Sequence, residues 1–310
     1  MKRTWKIFLS ILCAVCLTAC QGYREIDSEY LISAICFDKS DNGFLVLSEV
    51  LAITSDEKKT DAKVFSAYGK TPYEAVNNIA AQLPRTAVFD HCGSAVISEK
   101  IREKDLKTVM KYLYDTKNLN LGIYLFVCKD IEKLLACKSQ AISVGYDIMA
   151  VERNIEKTSG IDFKNKYYEI ESRIAAYGGF CLPVAAVKDS RHVISGQTVF
   201  VDYNPVITLS KNRAMLYNLI YSGSGGGAIS VSGKRCRVNS IKSSISEKGN
   251  KLYIKIDCKY RQKKDNQNAE IKSQVKKLLK LIKDTAALRP LGISDNANTV
   301  YVEVKGNEQE

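Results

Sequence analysis

Histidine is almost missing from this chain: only His91 and His192 occur in 310 residues. They stand far apart, with no ligand-spaced cysteine or histidine beside either, which argues against a zinc site. Asp90-His91 is the one candidate for a base with its orienting carboxylate. A histidine at the end of a strand more often packs and hydrogen-bonds locally. Paired cysteines are missing too. Once the leader and Cys20 are set aside, Cys36, Cys92, Cys128, Cys137, Cys181, Cys236 and Cys258 remain, an odd number without a C-x-x-C spacing. That is no disulfide framework, and thiols inside apolar runs such as Ile35-Cys36-Phe37 read as small buried hydrophobes. Cys92 alone has a histidine next to it in sequence, but neighbours on a strand point to opposite faces. The glycine cluster at 223–227 lacks the Gly-Lys-Ser/Thr ending that grips a nucleotide phosphate and reads as a flexible hinge. Acids such as Asp115, Asp147 and Glu152 show no spacing that marks a catalytic pair. After the first seventeen residues no segment approaches a membrane span. No catalytic site and no bound metal or cofactor is expected.

What is present begins at the N-terminus. Lys2, Arg3 and Lys6 precede an apolar run over residues 7–17 broken only by Ser10, and Leu17-Thr18-Ala19-Cys20 follows. The order of charge, apolar run and small-residue exit is that of a cleaved secretory signal, too short to span a bilayer in the mature protein. Its ending resembles a bacterial lipobox, in which a cysteine receives diacylglycerol before cleavage. Residues 1–19 are therefore expected to be a lipoprotein signal peptide. Cys20 is the expected lipid-attachment residue, carrying covalent diacylglycerol and an N-acyl chain such as palmitate. An ordinary secretory peptide with a chance cysteine is the bland alternative. The leader takes three of the 46 Lys and Arg and no acid, lowering the net charge from +12 to +9. The remaining excess, crowded at residues 261–264 and 276–280, suits an anionic membrane surface or a solvated basic face. An exported chain without interleaved aromatic and basic residues is not expected to bind nucleic acid.

The chain alternates strand and helix signals. Residues 30–38 and 44–54 are β-branched and aromatic runs around Ser40-Asp41-Asn42-Gly43, a hairpin signature. Thr71, Pro72 and Glu74 open a helix with a capping box, whose apolar face is Val76, Ile79, Ala80 and Leu83. A strand at 93–98 leads to a helix with Leu106, Val109, Met110 and Leu113 in one stripe. Another strand is expected at 123–128 and a short helix at 131–136. A mostly helical middle, residues 140–178, ends in a break marked by Gly178-Gly179 and Leu182-Pro183. Short strands at 196–202 and 206–209 flank Tyr203-Asn204-Pro205. A helix begins after Ser210, residues 251–260 alternate with one face to solvent, and an amphipathic helix follows near 268–287 with Ile271, Val275, Leu278, Leu279 and Ile282 inward. A last strand covers 300–304. This is an α+β (mixed α/β) chain of two or three mixed sheet-and-helix domains in an elongated arrangement, expected to divide into residues 20–190 and 191–310.

Arg24-Glu25-Ile26 follows Cys20. Tyr68-Gly69-Lys70-Thr71 opens the capped helix, Phe89-Asp90-His91 leads into Ala95-Val96-Ile97-Ser98-Glu99, and Leu182-Pro183 precedes Gly196-Gln197-Thr198-Val199-Phe200. In this order, across roughly residues 17–222, the chain resembles the Ger(x)C family of spore germination lipoproteins, the C subunits of nutrient germinant receptors. It departs from the family in carrying Cys20-Gln21-Gly22-Tyr23 where members have Cys-Trp-Asp, and in a short C-terminal region. The resemblance implies a non-enzymatic subunit on the extracytoplasmic face of the inner spore membrane, working with membrane-embedded transporter-like and polytopic receptor subunits. It carries over no catalytic residue. An extracytoplasmic solute-binding lipoprotein and a lipid-anchored cell-wall hydrolase are the alternatives.

Overall fold

A computed structural model describes residues 29–53, 60–116, 119–159, 162–231, 234–248, 251–260, 266–283, 285–293 and 299–308. Cys20, Arg24-Glu25-Ile26 and the basic residues 261–264 lie outside them.

Strand β1 (Glu29–Ser40) turns through Asp41-Asn42 into β2 (Gly43–Ile53), with Ser40 paired to Gly43. Gly43 is the first residue of β2, at φ +147°, and a Cβ there would lie 2.3 Å from the Gly69 carbonyl oxygen, so only glycine fits. β3 (Thr60–Gly69) runs back along β2. Helix α1 (Pro72–Ala80) starts as expected: Thr71 Oγ1 accepts from the Glu74 N–H at 3.1 Å. The reciprocal bond reaches one residue further back than a capping box requires, because Glu74 accepts from Lys70 N rather than from Thr71 N. Ala75 rather than Ala80 completes its buried face.

β4 (Thr86–Val88), β5 (Ser94–Ser98), α2 (Glu103–Asp115), β6 (Tyr124–Cys128) and α3 (Ile131–Ala136) follow in α/β alternation. The buried stripe of α2 is Leu106, Val109, Met110 and Leu113, with Tyr112 added. The helical middle is α4 (Val144–Ser159) and α5 (Tyr167–Tyr177), the latter stopped by Gly178 at φ +66°. The break expected at Leu182-Pro183 is instead the interior of β7 (Gly179–Lys188). Proline is accommodated because pairing with β6 begins only at Val184, so the missing N–H interrupts no ladder on that side. β8 (Arg191–Val201) and β9 (Asn204–Ser210) meet at Asp202-Tyr203, both at positive φ, so the turn precedes Asn204-Pro205 instead of containing them.

Among the described residues these nine strands form one sheet, ordered β3-β2-β1-β5-β6-β7-β8-β9, with β4 also beside β1. Its centre is parallel (β1, β5, β6, β7) and its flanks are antiparallel. One face packs on α1, α2 and α5, and the other on α3 and α4. The boundary expected at residue 190 falls in the β7–β8 turn of this sheet; the sheets part only after Ser210.

Helix α6 (Lys211–Ser222) ends at Gly223, φ +74°. The glycine run read as a hinge is strand: Ser224 to Val231 is β10, paired antiparallel to β11 (Lys234–Lys248). A glycine run is free to take extended backbone as readily as coil, and the partner strand decides. β12 (Lys251–Tyr260), α7 (Gln267–Lys283), a 3-10 turn at Arg289–Leu291 and β13 (Thr299–Glu308) complete a second sheet, β10-β11-β12-β13. The alternation in β12 buries Leu252, Ile254, Ile256 and Cys258, and α7 buries all five expected residues. α6 lies between the sheets. Ala214, Leu216, Tyr217, Leu219, Ile220 and Tyr221 are buried, which wraps apolar surface around most of the helix. They join Cys181, Val199 and Leu209 of the first sheet to β12 and α7 in one core.

Candidate functional site

The parallel strands all end on one side. In open α/β sheets ligands bind outside the carboxyl ends of the strands, because the connecting loops there leave a crevice. A cleft of about 660 Å³ occupies that place here, at the ends of β1, β5, β6 and β7. Its volume lies within the range of small-molecule sites. Asp38, Glu99, Lys100, Cys128 and Asp130 line its floor, with lysines 129 and 133 beside them. Lys100 Nζ donates to Asp38 Oδ2 at 2.8 Å, linking the loop after β5 to the end of β1. Partial burial pushes the Asp38 carboxyl up, but hydrogen bonds from Lys100, Ser98 and the Lys39 N–H outweigh it and hold the group below its ordinary range. Asp130 Oδ1 accepts from Lys133 N and caps the short α3. Cys128 donates its thiol to the Asp130 carbonyl at 3.3 Å, and burial raises its pKa to about 11, so the sulfur stays protonated at neutral pH. The cleft thus offers charges of both signs and a protonated thiol. Those groups can hydrogen-bond a small polar molecule.

The other sequence candidates lie elsewhere. His91 and Asp90 are exposed, and the His91 carbonyl accepts from Tyr146 Oη at 3.1 Å. Cys92 is buried and its thiol is pushed up to about 12 by that burial. Asp115 is an exposed helix-end acid paired with Lys111 at 3.2 Å. Cys36, Cys92, Cys128, Cys181 and Cys258 are buried, in keeping with the expected small hydrophobes, and Cys137 is half-buried. His192 does have a partner that its sequence surroundings did not show. Its Nδ1 lies 3.1 Å from Asp147 Oδ2 and its Nε2 3.1 Å from the Leu134 carbonyl oxygen. Asp147 also accepts from the N–H groups of Gln140 and Ala141. Every one of these contacts is internal, so the pair clamps β8 to α3 and α4, in the wall of a shallow cleft of about 350 Å³. Glu49, buried in β2, accepts from Ser33 Oγ at 2.8 Å and from Val144 N and Gly145 N at 2.9 and 3.1 Å, a negative charge on the first turn of α4. Among the described residues, one acid group has the spacing of metal ligands: Glu152, Glu156 and Asp162.

The family description "Spore germination protein N-terminal domain" matches residues 22–187, which is more than half of the chain. The chain belongs to this family. As a spore germination protein it bears out the Ger(x)C resemblance read from the sequence. A crystal structure of the GerBC protein is similar to it at 11% identity and a TM-score of 0.48, over 89% of this chain and 97% of that one. No curated protein matches the chain. Among the described residues of this germination protein, no helix is long and apolar enough to cross a membrane.

Proposed function

We propose that this spore germination protein is a non-enzymatic subunit of a nutrient germinant receptor. Lipid on Cys20 tethers it to the extracytoplasmic face of the inner spore membrane, beside transporter-like and polytopic subunits. The family match carries this reading: it starts at residue 22, two positions after the lipobox cysteine. A diacylated cysteine supplies the two chains that stable anchoring takes, so no transmembrane helix is required. The role is mechanical. The subunit is held against its partners, and germinant binding shifts the assembly toward ion release.

The cleft at the carboxyl ends of the parallel strands favours a second reading, a lipoprotein that captures a small polar solute. Replacement of Cys20 separates the two. Under the receptor reading, Cys20→Ala leaves a folded protein that washes off spore membranes, and nutrient-triggered germination slows at least tenfold. Under the solute-capture reading, the same variant loses uptake of the solute while germination proceeds at the wild-type rate, and that outcome overturns the receptor role.

A further inference from the structure

Helix α4 carries an acid that the germination role does not use. Glu152 is 1% exposed, and neither of its carboxylate oxygens has a hydrogen-bond partner. A buried carboxylate without a donor is among the costliest groups a fold can hold unless a charge compensates it. Glu156 stands one helical turn further on, on the same face. Asp162 enters from beyond the end of α4. Each of the three offers an oxygen, and these atoms lie within 4.8 Å of one another. Oxygens bound to one calcium ion at 2.3–2.6 Å span at most about 5 Å, so the three fit a single coordination sphere.

The surroundings fit as well. Asp162 is fixed by the Lys164 N–H on Oδ1 at 2.8 Å, and Lys164 takes a positive φ to reach it. Lys164 Nζ lies 2.6 Å from Asp162 Oδ2 and 3.5 Å from Glu169. Arg153 donates to Tyr124 Oη, and Lys166 lies over the Tyr124 ring. None of these cations donates to Glu152. Its carboxyl is pushed up to about 8, first by burial and then by the charges of Asp162 and Glu156. Glu156 and Asp162 are half-buried, which leaves a side open to water ligands and to entry.

We propose that Glu152, Glu156 and Asp162 form a binding site for a hard divalent cation of the calcium or magnesium class. All-carboxylate ligands without sulfur or imidazole select such ions over zinc or copper. The ion neutralises Glu152 and ties α4 to the segment that leads into α5. It shares Asp162 with Lys164 or displaces the ammonium.

Calorimetric titration of the full chain in detergent with calcium chloride, magnesium chloride and manganese chloride at pH 7.5 tests this. One ion bound per chain, with a thermal midpoint that rises on adding it, is expected. Glu156→Gln and Asp162→Asn each weaken binding at least tenfold, and Glu152→Gln, of the same shape, abolishes it while the fold is retained by circular dichroism. The proposal is overturned if the wild-type chain binds none of the three ions at 1 mM. It is equally overturned if binding survives unchanged in both Glu156→Gln and Asp162→Asn. Neither result bears on the receptor role, which rests on the anchor and the family match.

Discussion

A carboxylic acid sealed inside protein titrates where water would not let it, and Glu152 makes that measurable. Burial, then the charges of Asp162 and Glu156, raise its pKa to about 8, while Lys166 and Arg153 act the other way. The ordinary value governs the unfolded chain, so the folded state holds the proton more tightly. Stability from this group is full below the ordinary carboxylate range and is lost as pH rises toward 8. Glu152→Gln keeps the shape and removes the titration. In chelator the variant should match the wild type near pH 4.5 and exceed it increasingly up to pH 8. The gap grows by at most about 1.4 kcal/mol for each step of one in pH across that window. Urea unfolding at stepped pH measures it, and a gap that stays constant with pH refutes the assignment. No signal in the sequence marked this residue. Glu152 reads like any helical acid, and only the packing of α4 against the sheet removes its water. His192 and Asp147 were hidden in the same way, being 45 residues apart in the chain.

Elements differ in how far their own residues determine them. Helix α1 is specified within four positions by Thr71, Pro72 and Glu74, and α2 and α7 by stripes of one period, so all three were legible. β12 was legible because one face meets solvent and its alternation survives. β7 and β10 were not: Leu182-Pro183 and the glycine run carry turn signals, and pairing with β8 and β11 overrides them. Helix α4 depends on another element as well. Its first N–H groups end on Glu49, a residue 95 positions earlier in the chain. Glu49→Gln puts an amide NH2 where backbone donors require an acceptor. The expected loss is about 1.5–3 kcal/mol, the range for a hydrogen bond to a charged group. A lower urea midpoint at unchanged slope would show it, whereas a loss below about 0.5 kcal/mol would mean that water satisfies the helix start.

At the scale of the whole molecule, the sequence divides the chain at residue 190, whereas α6 ties the two sheets through a single core. Tyr217 is fully buried and donates to the Ala287 carbonyl at 2.8 Å, and Arg173 of α5 donates to the Tyr221 and Pro290 carbonyls. With so much apolar surface shared, the two sheets should unfold together. Native-state hydrogen exchange should give amides of β8 and of β12 the same opening free energy within about 0.5 kcal/mol, as members of one cooperative unit. A second sheet that opens several kcal/mol more easily would show two independent units. The spacing from Cys20 to β1 also sets a length scale for the proposed lipid tether. Nine residue steps separate Cys20 from Glu29, the first residue of β1, and a fully extended chain covers about 30 Å in that distance. Asp38, at the cleft, stands nine residues further along β1, about another 30 Å. Under the proposed lipid attachment at Cys20, the cleft floor at Asp38 can therefore rise no higher than about 60 Å above the bilayer. On that proposal any ligand or partner surface that meets Asp38 does so within that radius, and residues inserted between Cys20 and Glu29 would enlarge it.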